Sequence, residues 1–541
     1  MNKTTFLAAV FSLMLAKSVQ AQLKDAQVNL FAIPTLSTSF VRMPSRNASQ
    51  EIDAVYYNPA GILGLKNGFH LNVNNQFQWV SSNLEVSKNK ELQNQPTTNY
   101  PFSVKNYIFP IFHGAYIKNQ KYAFSFMVTP AVGGGGASAI SNLPFGEFPI
   151  ADLTAISRDV IKELVDKPFG TQYSDIDYSY DFSFKGLSFS PAAQANFGFK
   201  INKYLAGSVG ARMIYYIVNA GGGLSNLRFN NETLGISKSP KDYIQDMGRE
   251  VPQINEEITD VIGELLGAFP LELEIEATQS GFGVTPIVGL NFNYNDRWNV
   301  GLKYEHRTYI NLITKVPDPE KNGGGVYVDG KEQRADFPGM FTSGITFKPN
   351  ERLIFAVGNR LFFNKRANLN GREDFLISNY KEFDAAFEYE MLPRLRISAG
   401  ATYRTVRMEN EYYTSIDYFL PAVTFAGGIK STISQRIEVE AGLLFTKYLT
   451  RNYVQNVGIF GGLLPAVGIE LPDFIDEAFN RRFDYEMSGL VYYASVGVNF
   501  WMGSIEENKK GREARVAQVK EDRASNQFIR QHRREYRKLR E

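Results

Sequence analysis

From Phe69 to Trp79 the chain alternates with a period of two. The odd positions are Phe69, Leu71, Val73, Asn75, Phe77 and Trp79, and the even ones are His70, Asn72, Asn74, Gln76 and Gln78. A β-strand points successive side chains to opposite faces, so this segment is a strand with one apolar and one polar face. In a soluble protein the apolar face would meet a core. In a membrane barrel it meets lipid, while the polar face lines the lumen.

The same pattern recurs down the chain. Fourteen strands are expected, at 68–80, 105–118, 121–131, 186–202, 204–219, 281–294, 297–310, 337–348, 352–363, 381–392, 394–407, 418–433, 435–448 and 489–501. Tight turns at Asn119-Gln120, Asn202-Lys203, Asn295-Asp296, Pro349-Asn350-Glu351, Leu392-Pro393 and Ser434-Gln435 join them in pairs. The other connections, 81–104, 132–185, 220–280, 311–336, 364–380, 408–417 and 449–488, are all long. Short turns on one side and long loops on the other, with an even strand number, are the plan of a bacterial outer-membrane barrel. Closure also removes the edges that an open sheet of this size would expose. The expected fold is therefore all-β, a 14-stranded antiparallel transmembrane barrel.

Composition agrees. The mean hydropathy of −0.25 looks soluble, but half of every barrel strand is polar. Phe and Tyr supply most of an aromatic share of 13%, which suits strands and interfacial girdles. Trp79 is placed at the outer end of the first strand, and Trp298 and Trp501 at periplasmic ends. Residues 1–21 have the plan of a secretory signal: Lys3, an apolar run from Phe6 to Ala16 and small Ala21 before Gln22. The chain has no cysteine, which excludes disulfides, Cys-ligated metal and a lipid-anchored cysteine. A net charge of +2 gives no argument for nucleic acid. The four histidines lack metal spacing, no phosphate loop follows the glycines at 133–136, and no nucleophile elbow is present. Neither an enzyme nor a cofactor is expected, although a Ser-His pair on a barrel stays open.

Ionised residues share inward faces: Lys303, Glu305 and Arg307; Asp384, Glu388 and Glu390; Arg396 and Arg404; Glu438 and Glu440. Charge facing hydrocarbon is costly, so these side chains face water or one another. They are either a structural ion-pair lining or a path for a polar ligand. Segments 153–164 and 254–265 carry apolar residues at helical spacing, and Val457 to Ile475 is rich in Gly and apolar residues. Either these loops pack on one another, or they form an apolar capture groove. Residues 22–67, moderately apolar, are placed inside the barrel as a plug, because fourteen strands leave an open lumen. The tail 502–541 has twelve Lys or Arg against seven Asp or Glu. It is a solvated or disordered extension, or it docks on an acidic periplasmic partner or inner-leaflet headgroups.

Asp53 to Gly61 with its Asn58-Pro59-Ala60 core, Gly68 opening the first strand, and the hairpin from Gly281-Phe282-Gly283 through Gly301-Leu302-Lys303-Tyr304 resemble the FadL/TodX family of outer-membrane transporters. The resemblance covers about 22–501. It implies an N-terminal hatch (22–67), a barrel (68–501) in the bacterial outer membrane, and passive uptake of a hydrophobic small molecule, most readily a long-chain fatty acid. It further implies loop capture, a pocket gated by the hatch, and lateral release through a kinked third strand. Candidate pocket and gating residues are Asn58, Pro59, Ala60 and Phe40, with Arg42, Arg46, Arg396 or Arg404 as the positive partner of a carboxylate. Pro130, Gly133, Gly134 and Pro191 mark the lateral opening, since proline removes a ladder donor and glycine weakens a strand. An ordinary loop start is the alternative there. The chain departs from the family in its very long loops and in the residues that follow Trp501. Both leave open a second role, as a platform for protein partners in secretion or surface attachment. Deleting 22–60 is expected to leave a leaky, non-specific pore, read as a rise in single-channel conductance in a planar bilayer. Unchanged conductance would count against a plug.

Overall fold

The computed structural model describes residues 37–86, 99–106, 110–130, 138–140, 144–251, 273–318, 327–413, 420–456 and 482–504. The signal segment 1–21, the helical reading at 254–265, Val457 to Ile475 and nearly all of the tail lie outside these residues, as do Gly133 and Gly134.

Twenty strand segments form one antiparallel sheet. In order they are β1 (Gly68–Val86), β2 (Asn99–Asn106), β3 (Pro110–Lys118), β4 (Tyr122–Pro130), β5 (Ser138–Ile140), β6 (Asp177–Phe189), β7 (Pro191–Lys200), β8 (Leu205–Asn231), β9 (Ile236–Lys238) and β10 (Leu273–Tyr294). There follow β11 (Trp298–Glu305), β12 (Asn311–Lys315), β13 (Glu332–Arg334), β14 (Met340–Phe347), β15 (Leu353–Phe362), β16 (Lys381–Leu392), β17 (Leu395–Thr405), β18 (Ala422–Ser434), β19 (Ile437–Asn456) and β20 (Arg482–Met502). Several successive segments are pieces of one stave: β2 with β3 along β1, β6 with β7 along β8, and β11 with β12 along β10. Counted as staves there are fourteen, and β20 pairs with β1 from Phe69↔Met502 to Val86↔Tyr485, closing the barrel. Closure pairs the backbone all round, the condition for a sheet to cross hydrocarbon.

The faces sort as the alternation requires. Phe124, Phe197, Val288, Phe355, Phe387, Phe425, Leu443 and Val496 are exposed on the outside. Asn72, Gln194, Lys303, Glu388, Thr402 and Glu440 are buried inside. The short connections hold where their residues accept left-handed backbone. Asn119 and Gln120 have φ of 54° and 50°, and Asn295 and Asp296 have 52° and 54°, the conformation of a two-residue turn matched to strand twist.

Some details differ from expectation. Two turns are displaced by one residue, to Pro393-Arg394 and to Gln435-Arg436; Arg394 takes the left-handed position with φ 73°, since proline cannot. The first strand continues to Val86, so Trp79 lies within it rather than at its outer end. Trp501 faces inward and is buried, donating its indole N–H to the Asn67 carbonyl at 2.9 Å; exposed Phe500 and Met502 flank it on the outside. Arg307 leaves the inward face because the strand ends at Glu305 and the alternation resumes shifted, with Thr308 buried. The first loop helix, α3 (Pro144–Ile161), starts earlier than the expected 153–164, and α4 (Pro240–Glu250) was not expected, although Ser239 caps it and Pro240, Tyr243, Ile244 and Met247 recur at helical spacing on its buried side.

Residues 37–67 run inside the barrel. They form α1 (Thr38–Arg42), α2 (Ala54–Tyr57) and a 3-10 turn, Pro59–Gly64. Their backbone comes very close to the wall where the wall has inward glycine. A Cβ at Gly442 would lie 2.7 Å from the Arg42 nitrogen and 3.0 Å from its Cα, and one at Gly301 would overlap the Asn47 carbonyl oxygen. Only glycine admits such approach. Gly442→Val is expected to displace the inner segment and raise single-channel conductance, while Gly427→Val, whose Cβ would meet only the Ser398 carbonyl at 3.4 Å, keeps the wild-type value.

Candidate functional site

The lumenal segment is held by charge. Ser37 caps α1, accepting from the Phe40 N–H at 3.1 Å, and α1 delivers Arg42 to the wall. Arg42 is wholly buried. Its guanidinium pairs with Glu388 on β16, with Glu440 on β19 at 2.9 Å and with Glu51 at 3.2 Å, and donates to Ser398 on β17 at 3.1 Å. Lys430 on β18 pairs with Glu51, and Ser39 donates to Glu440 at 2.9 Å. Arg46 stays within the segment, on Asp53 at 2.7 Å and Glu51 at 2.6 Å. Arg396 is a third of the way exposed and is shared by Glu388 at 2.9 Å and Glu390 at 3.2 Å. The inward charges on β16 to β19 are therefore largely an ion-pair lining around the segment.

Arg42, Arg46 and Arg396, each a candidate for the carboxylate of a ligand, already hold protein carboxylates. Their place in the molecule is that of anchors. Removing one member of a buried pair strands the other and costs about 3–5 kcal/mol.

Asn58 joins the segment to the opposite wall. Its amide donates to the Ser49 carbonyl at 3.0 Å and to Asn291 on β10 at 2.7 Å. Pro59 starts the 3-10 turn, where a missing N–H costs nothing. Ala60 is fully buried and lies against Gly289 of β10. On β11, Lys303 donates to the Tyr56 carbonyl at 2.7 Å and lies over the Tyr56 ring, with Arg212 of β8 also on that ring. Glu305 holds both cations at 2.6 Å.

An apolar cluster sits beside α1. Phe40 stacks on Tyr57 with ring centroids 5.6 Å apart, and Val41, Ala426, Leu444, Val491 and Tyr493 surround them. Arg360 lies over the Phe40 ring at 4.8 Å and pairs with Glu382, which also accepts from the Tyr380 hydroxyl at 2.8 Å. Arg404, directly across the ladder from Glu382, is different. It is only 6% exposed, yet among the described residues its Nε and Nη1 have no hydrogen-bond partner. Tyr380, Tyr448, Tyr493 and the Glu382 carboxylate act on it electrostatically. A buried guanidinium with unused donors next to an aromatic, apolar cluster is chemically suited to a carboxylate joined to an acyl chain. Sequence spacing placed Arg404 on the inward face. It gave no sign that Glu382 would be taken by Arg360.

The wall is weakest where β4 ends. Pro130 and Pro191 are opposite partners, so neither strand offers an N–H at that rung. The neighbouring stave breaks at the same height, between Phe189 and Pro191. Beyond this level β5 pairs with β6, while β2 pairs with β1.

No family model matches the sequence, and no curated protein matches it. Among solved structures, a FadL homologue of Pseudomonas aeruginosa superposes with a TM-score of 0.55 at 10% identity, covering 87% of this chain and 99% of that one. The toluene transporter TbuX of Ralstonia pickettii gives 0.46 at 12% identity over 88% of this chain and 100% of its own. The toluene transporter TodX of Pseudomonas putida gives 0.46 at 13% over 87% and 100%. The first superposition shows that this chain has the fold of that FadL homologue.

Arg42→Ala leaves Glu388 and Glu440 without their buried cation. It is expected to lower the denaturation midpoint of the barrel in heated-gel migration and to increase conductance, whereas Arg46→Ala, whose partners lie within the segment, raises conductance less. Equal effects of the two would mean that the wall contacts do not hold the segment.

Proposed function

We propose that this barrel sits in a bacterial outer membrane and admits hydrophobic small molecules, long-chain fatty acids in particular. The observation that carries the reading is Arg404, a buried guanidinium with unused donors beside the Phe40–Tyr493 cluster. The membrane placement is supported by the apolar outer face, and by a backbone paired all round the barrel. Occupation of the lumen by residues 37–67 leaves little room for an aqueous path, and this favours a ligand that travels along apolar surface.

The steps follow from where the residues lie. A ligand captured by the outer loops enters beside α1, with its carboxylate on Arg404 and its chain against Phe40, Tyr493 and Leu444. Burial at about 0.8 kcal/mol per methylene gives ample affinity, so release is the harder step. Pulling out the whole inner segment would break several buried ion pairs. Arg42 to Gly64 therefore stays clamped, and gating is assigned to side-chain rearrangement within the Phe40–Tyr493 cluster rather than to withdrawal of the segment. The doubled proline rung at Pro130 and Pro191, with Gly133 and Gly134 following in sequence, is the proposed lateral exit. No energy source is invoked.

The test compares an acid with a hydrocarbon. Arg404→Gln removes charge-assisted bonds worth roughly 1.5–3 kcal/mol and is expected to weaken binding of a long-chain fatty acid about 10- to 100-fold, with toluene binding unchanged. Undiminished fatty-acid binding would remove Arg404 from the site. A barrel that binds neither compound and carries no extractable hydrophobe by mass spectrometry would favour the protein-platform role instead.

A further inference from the structure

A second cationic site lies on the outside of the barrel, at the end away from the tight turns. Arg307 stands 4.5 Å from the ring centre of Tyr309 and donates Nη2 to its hydroxyl at 3.0 Å. Arg334 lies 5.3 Å from the same ring. Arg366 lies 6.0 Å from the Phe363 ring, and Arg307 donates to its carbonyl oxygen. Exposed Lys365 adjoins it. His306 bridges Tyr304 and Tyr309, its ring 6.2 Å from each. Tyr304 in turn stands 6.4 Å from Phe363, so the aromatics form a continuous row.

The charge of this row is one-sided. Arg307 and Arg334 share the buried carboxylate of Asp336, and the nearby Glu332 accepts from Asn311. Asp336 offsets part of the repulsion between the two guanidiniums with a single carboxylate, and Arg366 and Lys365 add further positive charge, so the row stays net positive. The position restricts the anion. Tyr309 and Tyr304 are 49% and 39% exposed, and toward the tight turns the same outer surface continues as Leu302, Phe341, Ile345, Phe355 and Val357, all exposed. Aromatics at the end of an apolar band mark the membrane interface. Basic side chains there sit at headgroup height, where they attract anionic lipid.

We propose that Arg307, Arg334 and Arg366 bind the phosphates of a phosphorylated glycolipid of the outer leaflet, whose acyl chains lie on the apolar face below. Guanidinium hydrogens beyond those used on Asp336, Tyr309 and the Arg366 carbonyl suit phosphate oxygens, and Tyr309 and Phe363 hold Arg307 and Arg366 against the barrel wall. The inference rests on the outer-membrane placement above, and it is independent of what the lumen carries.

Native mass spectrometry of the full chain in detergent tests it, with bis-phosphorylated lipid A, the same lipid without phosphates, and phosphatidylglycerol as probes. The wild type is expected to retain one bis-phosphorylated lipid A. R307Q/R366Q, which leaves Arg334 to hold Asp336, is expected to bind at least tenfold more weakly. R297Q/R352Q, at exposed arginines of the tight turns, should match the wild type. Equal retention by R307Q/R366Q, equal retention of the phosphate-free lipid, or competition by phosphatidylglycerol on equal terms would overturn the proposal. Arg366 meets no acidic side chain among the described residues, so R366Q alone supplies the same comparison if the double variant does not fold. Fatty-acid binding, measured on the same samples, should be unchanged in R307Q/R366Q. A wild type that binds lipid A and no fatty acid would count against the uptake reading alone.

Discussion

The contact between Arg42 and the carboxylates of Glu388, Glu440 and Glu51 is the constraint on which the interior depends. A guanidinium with no exposure to water is tolerable only when charge and hydrogen bonds surround it on every side. Here the carboxylates come from β16, from β19 and from the segment itself, so satisfying one side chain fixes the position of a helix against several staves. That position in turn sets Phe40 on Tyr57, and the stack on Tyr57 sets one side of the apolar cluster. The pairing is a matter of specificity more than of stability, because a buried pair gains little over apolar packing while its rupture is costly.

The barrel makes room for that contact by giving up side chains. Gly442 and Gly301 carry no Cβ where the inner backbone touches the wall, so the segment lies directly on the sheet without a layer of side chains between. Along most of the described wall the strands pair continuously with their neighbours. The exception is the doubled proline rung at Pro130 and Pro191, where the ladder lacks donors on both sides and the adjoining stave is interrupted. That rung is the proposed lateral exit.

Arginine does three different jobs in this molecule, decided by its neighbours. Arg42 is saturated and anchors. Arg404 is buried with donors to spare and is suited to receive a charged ligand. Arg307 and Arg366 lie on aromatic rings at the outer rim, the proposed site of lipid phosphates. Residue type alone distinguishes none of these.

The strand count, the faces of the strands and the side carrying the long loops were written in the local pattern, because a period of two and a two-residue turn are properties of consecutive residues. So was the inward direction of Lys303, Glu388, Arg404 and Glu440. What alternation cannot encode is which inward charges meet, because that depends on register between strands and on a segment hundreds of residues away. Arg42 and Arg404 were equivalent as candidates in the sequence. Only the tertiary structure gave one three carboxylates and left the other beside a glutamate already claimed by Arg360. The inward turn of Trp501 and the outward turn of Arg307 have the same origin: each is settled by what lies across the ladder or beyond the end of a strand, which no local period records.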